Sequence, residues 1–226
     1  LIHNFQSIGS DRLGDYFFPR ALNRYVRYHR SRYKEITQAE QMKDLSGTMY
    51  KTSIRKYLNV HGGFQINEGC INISIGRKES LDKIFSILLN DGDGFINTAG
   101  QDIVLLKSIH FRNLIHHEMS ILEEGFIENL EKYVRENPIK AIYINTQCSY
   151  PEGFHLHPEN SSKLISLAKQ YHFYIVEEND FYEFWYRKDY SFLPLAQHDH
   201  GGHVIYVAPL SQSSPYMYST RVVMAS

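Results

Sequence analysis

The chain has 226 residues, 42% of them hydrophobic, enough for one sizeable α/β core or two small domains. Its 24 Lys and Arg nearly cancel its 25 Asp and Glu, which excludes a global field that would hold a nucleic-acid backbone or an anionic lipid surface. Cys70 and Cys148 lack C-x-x-C spacing and no apolar run approaches the ~20 residues of a membrane span, so neither a disulfide framework, a cysteine-rich zinc site nor a membrane anchor is expected.

The first forty residues are basic and aromatic. Tyr25, Tyr28 and Arg24, Arg27, Arg30 and Arg32 predict an exposed helix over 19–34 that opens at Pro19, whose missing N–H costs nothing in a first turn. A solvated helix face accounts for this short basic run more simply than a nucleic-acid arm. The polar stretch 38–47 reads as a linker, and the domain expectation is an N-terminal arm and helix over 1–48 followed by a large domain over 49–226.

From Tyr50 strands and helices alternate. Ile54, Tyr57 and Leu58 have helical spacing and end at His61-Gly62-Gly63, a pair of glycines suited to a left-handed stop. Ile71–Ile75 alternates as a short strand, broken by Gly76, and Leu81, Ile84, Phe85 and Leu88 form the stripe of the next helix, closed by Asn90-Asp91-Gly92-Asp93. Phe95-Ile96 predicts a brief strand. Ile127, Leu130 and Val134 mark a helix that stops before Pro138, and residues 141–144 a buried strand. Leu164, Leu167, Ala168 and Tyr171 form another helical stripe, starting near Ser161 or Ser162, that leads into a strand over 173–176. Further strands are expected over 204–207 and 221–224. This alternation predicts a largely parallel sheet with helices on both faces.

These segments carry a family resemblance. The run from Phe5 to Arg24, with Gly9, Asp11 and Phe18-Pro19, resembles the opening of the aminotransferase-like domain in MocR-type regulators of the GntR superfamily. Residues 143–153 resemble that family's strand and "Q-x-P-T-G" turn, 175–186 its "I-E-D-D-Y-D-S-E-F-x-Y" strand end, and 204–211 its "V-I-Y-L-G-S-F-S" segment. The resemblance implies an α/β fold, the three-layer large domain of pyridoxal-phosphate-dependent transferases with a mostly parallel sheet, incomplete at its C-terminus. It also implies a homodimer and DNA contact only through a winged helix that precedes this domain in the family, while the two cysteines, without the spacing of a disulfide framework, make a reducing, cytoplasmic setting the expectation. With no initiating Met, the sequence is expected to be a piece of a longer protein.

The family's cofactor contacts map onto Gly76, Arg77, Lys78, Ser149, Glu178, Ser211 and Arg221. The turn at Gly76 precedes a helix whose first N–H groups attract an anion, and Arg77 and Lys78 add charge there, although a glycine that merely turns the strand is an equal reading. Ser149 stands at the amide that bonds the cofactor's phenolic oxygen. Glu178, with Asn179 as the other choice, stands at the aspartate that keeps the pyridine nitrogen protonated. Asp102 replaces the tyrosine that stacks on the ring, and a carboxylate offers no ring face. Gln212 falls where the family's Schiff-base lysine belongs, and Lys188 is the last lysine of the sequence. An amide forms no Schiff base, so no catalytic residue is assigned and pyridoxal phosphate is expected to bind at most noncovalently.

The expectation is therefore a non-catalytic domain for sensing a small anionic effector and for dimerisation in a MocR-type regulator. The alternative is a pyridoxal-phosphate-dependent class I/II aminotransferase that draws its amine from Lys107, Lys163 or Lys188; a third reading is a remnant that binds nothing. No metal is expected: His198, His200 and His203, with His155 and His157 nearby, read as loop histidines, and His116-His117 is less specific still. Glu123-Glu124 reads as an exposed helix start, Glu177 and Glu178 as neighbours facing opposite sides of a strand, and residues 181–186 as core or dimer packing.

Overall fold

The computed structural model describes residues 48–61, 63–100, 102–110, 112–148, 153–184, 192–210 and 220–225, with Arg24 and Arg27. Those two arginines are helical and exposed, and the rest of 19–34 and the linker at 38–47 lie outside the described residues.

In chain order the elements are helix α1 (Thr48–His61), β1 (Ile71–Ile75), α2 (Arg77–Leu88), β2 (Gly94–Asn97), α3 (Ile103–Ile109), β3 (Ile115–Glu118), α4 (Phe126–Glu136), β4 (Ile139–Ile144), α5 (Pro158–Tyr171), β5 (Tyr174–Glu178), β6 (Val204–Pro209) and β7 (Thr220–Ala225). The seven strands form one sheet in the order β1-β7-β6-β5-β4-β2-β3. Pairing is parallel from β3 through β2, β4 and β5 to β6, and β7 runs antiparallel to both β6 and β1.

Strand periodicity divides the side chains between two layers. On one face Ile142, Ile144, Ile175 and Val204 pack against Leu130 and Val134 of α4 and Leu164 and Ala168 of α5. Farther along that face, Tyr206, Ala208 and Val222 receive Ile54 and Leu58 of α1. The opposite face carries Ala141, Tyr143, Val176 and Val207 against Leu81 and Phe85 of α2 and Leu105 and Ile109 of α3. Each fully buried Leu, Ile or Phe contributes about 1.5–3 kcal/mol, so the sheet is held from both sides as the alternation predicted.

Local chemistry sets the element ends. Gly76 opens α2 with φ 86° and ψ 152°, a conformation that a Cβ disfavours, and Glu79 Oε2 reaches back 2.9 Å to the amide of Ile75. Helix α3 is capped by Asp102, which accepts from the amides of Val104 and Leu105. Helix α5 starts at Pro158, ahead of the expected Ser161 or Ser162, because the proline ring already has a helical φ; Ser161 is buried one turn later. Strand β4 begins at Ile139 and β5 runs on to Glu178, each two residues beyond the expected limits. Two elements were not anticipated: α3, whose run Ile103-Val104-Leu105-Leu106 hides the helical period, and β3, whose exposed edge residues do not alternate.

Candidate functional site

The carboxyl ends of the parallel strands converge on a charged cluster on the α2/α3 face. The order of connections reverses between β2 and β4, the place where open α/β sheets hold ligands. Helix α2 supplies Arg77 from its first turn, the β2–α3 connection Asp102, β4 Tyr143, β5 Glu178, the following turn Asp180, and β7 Arg221.

The Arg77 guanidinium spans the cluster. Its Nε donates to both oxygens of Glu178, at 2.8 and 2.9 Å, and its Nη2 donates to Glu178 Oε2 at 2.6 Å. The far edge forks onto Asp102, Nη1 to Oδ1 at 2.9 Å and Nη2 to Oδ2 at 2.6 Å, while Nη2 also reaches Tyr143 Oη at 2.8 Å. Tyr143 in turn donates its phenol proton to Glu178 Oε2. From the other side, Arg221 Nη1 donates to Glu178 Oε1 at 2.6 Å and Nη2 to Asp180 Oδ1 at 2.5 Å. Such charge-assisted forks are the strong class of hydrogen bond.

Burial explains why the pairs must be complete. Glu178, Tyr143 and Arg221 are 1%, 1% and 3% exposed, and an unpaired carboxylate or guanidinium there would be strongly unfavourable. Burial and the charge of Glu178 raise the Tyr143 phenol well above its ordinary range, so it stays neutral and able to donate. Burial and Glu178 also push the Asp180 carboxyl up to about 6, against the pull of Arg221 and Arg77. Burial opposes ionisation of Asp102, but the Arg77 bond and the Leu105 and Val104 amides outweigh it and leave that carboxyl below its usual range. At Arg77, burial is likewise outweighed, by Tyr143, Asp102 and Glu178, and the guanidinium is held in its charged form.

Of the sequence-derived site residues, Arg77, Glu178 and Arg221 come together and Gly76 turns the chain beside them. Lys78 does not join them: its Nζ pairs with Asp82 at 2.5 Å along the outer side of α2. Asn179 is not the counterpart of Glu178, because it lies in a second network on the opposite side of the sheet. There Glu177 accepts from Thr146, from the amides of Leu195 and Ala196 and from Asn179 Nδ2, so the two adjacent glutamates face opposite layers as expected. Ser149, Ser211 and Gln212 lie outside the described residues. Tyr143 and Asp180 were missed as members of the site. Tyr143 reads as an apolar strand position, and the signal for Asp180 was only its place two residues beyond Glu178. The loop histidines take local roles: His200 Nδ1 accepts from the amide of Val204, and the His203 ring bonds the carbonyl of Phe173. A groove of about 570 Å³, lined by Phe64, Asn67, Gln197 and His198 among others, opens at the amino ends of the strands, away from the cluster.

No family model matches the chain. It is similar to an uncharacterized aminotransferase of Saccharolobus solfataricus, 27% identical over 153 residues, 65% of this chain and 38% of that protein. An aromatic-amino-acid aminotransferase of Thermococcus litoralis is 24% identical over 79% of this chain and 44% of its own length. The uncharacterized HTH-type transcriptional regulator YdcR of Escherichia coli is 27% identical over 62% of this chain and 30% of its own length. The chain spans less than half the length of each of these relatives. Among solved structures, an archaeal alanine:glyoxylate aminotransferase superposes with a TM-score of 0.70 at 20% identity, over 87% of this chain and 52% of that one. The fold is that of the pyridoxal-phosphate-dependent aminotransferases.

The described residues do not fit the cofactor which that fold implies. A carboxylate has about four lone-pair positions, and those of Glu178 are taken by Arg77, Arg221 and Tyr143, so none is left for a pyridine nitrogen. Asp102 offers no ring face, and the Arg77 guanidinium lies between it and Glu178.

Proposed function

We propose that this chain is a non-catalytic domain on the aminotransferase fold, with residues 49–226 as its large domain, that senses an effector and mediates dimerisation in a MocR-type transcription regulator. One observation carries the reading. Among the described residues, the site at the carboxyl ends of the strands gathers arginines, carboxylates and a phenol, but no lysine. Aminotransferase chemistry requires a primary amine for its Schiff base, and a guanidinium, which keeps its proton in proteins, does not replace it. The likeness to YdcR over 62% of the chain supports the regulator reading, and Gln212 at the lysine's aligned position agrees with it.

The effector is proposed to be small and anionic, as the family resemblance implies. Such an anion has to compete with carboxylates already in place, because Arg77 holds Asp102 and Glu178, Lys78 holds Asp82, and Arg221 holds Glu178 and Asp180. The likeness to two aminotransferases favours a second reading, a working enzyme that takes its amine from elsewhere. The deciding experiment incubates the purified protein with pyridoxal phosphate, reduces it with borohydride and locates adducts by peptide mass mapping. The non-catalytic reading expects no lysine adduct above that of a denatured control; a stoichiometric adduct on one lysine would establish the enzyme.

A further inference from the structure

Three positions at which this chain departs from the family pattern, or adds charge to it, are partners of one another. Asp102 stands where the ring-stacking tyrosine belongs, Glu178 where the partner of the pyridine nitrogen belongs, and Arg77 in the turn assigned to the phosphate. Independent loss of function would scatter such changes. Here one planar cation joins them, with its two edges on Asp102 and Glu178 at 2.6–2.9 Å.

The helix start beside them is held by side chains of its own. The family resemblance assigns a phosphate to that first turn. Glu79, in that turn, folds back so that its carboxylate accepts the amide of Ile75, the last residue of β1, at 2.9 Å. Lys83 holds the other oxygen of that carboxylate from the next turn, at 2.5 Å. A planar cation is therefore provided by the chain where a cofactor would bring a protonated ring, and the turn that carries it is closed by Glu79 and Lys83.

We infer that Arg77, assisted by Glu79, is a built-in substitute for the cofactor: its guanidinium occupies the space between Asp102 and Glu178, completes the fold without pyridoxal phosphate and excludes it. The inference rests on the non-catalytic reading but goes further, since an inactive domain without the lysine would otherwise still hold the cofactor noncovalently. Exclusion follows from charge as well as from space. A ligand that displaced Arg77 would have to satisfy Glu178 and Asp102 together, and pyridoxal phosphate presents one cationic N–H for two carboxylates while adding negative charge.

The test compares the unaltered protein with Arg77→Ser by equilibrium dialysis against pyridoxal phosphate, with uptake read from visible absorbance. Arg77→Ser should bind at least about tenfold more tightly than the unaltered protein, a difference of ~1.4 kcal/mol. Equal affinity for the two proteins overturns the inference. A measurement on the unaltered protein stands even if Arg77→Ser fails to fold: its thermal midpoint should not move when pyridoxal phosphate is added to millimolar concentration, and a saturable rise would overturn the inference, because a ligand of the native state must stabilise it. The two readings fail differently. Noncovalent binding by the unaltered protein sinks the substitute and leaves the non-catalytic proposal standing, whereas a lysine adduct sinks that proposal.

Discussion

Asp180 carries the excess charge of the cluster. Among the described residues, Glu178, Asp102 and Asp180 share two cations, Arg77 and Arg221, and Asp180 is the carboxylate whose carboxyl rises to about 6. An acid whose folded pKa exceeds its unfolded value of about 3.9 binds its proton more tightly when folded, so its contribution to stability is complete below about pH 4 and is lost as pH rises through about 6. Asp102 works in the opposite sense: its lowered carboxyl stabilises the fold above about pH 4 and that contribution is lost on further acidification. Between pH 5 and 7.5 only Asp180 changes state of the two. Asp180→Asn keeps an acceptor for Arg221 and removes the titration. The wild-type melting midpoint should therefore fall relative to the variant's by roughly 2–4 °C over that range, about 1 kcal/mol, as read by calorimetry at several pH values. A gap that stays constant with pH would show that Asp180 does not titrate there.

At the scale of elements, β2 pairs with the start of β4 at a close joint. The register shifts between Gly94 and Phe95, and a Cβ on Gly94 would stand 2.3 Å from the carbonyl oxygen of Pro138 and 2.9 Å from Ile139 Cδ1. Backbone cannot yield there as a flexible side chain would. Gly94→Ala should cost about 3 kcal/mol through overpacking, a fall of roughly 6–12 °C in melting midpoint, whereas Gly92→Ala, which meets no atom within 4 Å, should show only the strain of its φ of 85°. Most elements were legible in the sequence because their residues repeat at their own period, as in the stripe Leu81, Ile84, Phe85 and Leu88, all buried. Helix α3 was not, because its apolar run hides the helical period; its start is set by Asp102, whose Oδ1 accepts from the amides of Val104 and Leu105. One side chain thus serves a helix end and an ion pair, and only the second of its partners is distant in sequence.

For the molecule as a whole, the sheet couples the layers. Strand β4 sends Ile142 and Ile144 into one layer and Ala141 and Tyr143 into the other, so neither layer can be lost while the other keeps its packing. Leu130→Ala in α4 and Phe85→Ala in α2, on opposite faces, should each cost about 2–5 kcal/mol and lower the midpoint of one shared transition, with far-ultraviolet circular dichroism and tyrosine fluorescence coinciding. Separate transitions for the two variants would contradict the coupling. The sequence alone determined the alternation of strands and helices, the opposite facing of Glu177 and Glu178, and that no lysine follows Lys188, because each is a property of neighbouring residues or of residue identity. It did not determine what the charged residues bind. Arg77 is 101 positions from Glu178 and 25 from Asp102, and at those separations only the order of strands in the sheet decides that the cation meets two carboxylates of its own chain.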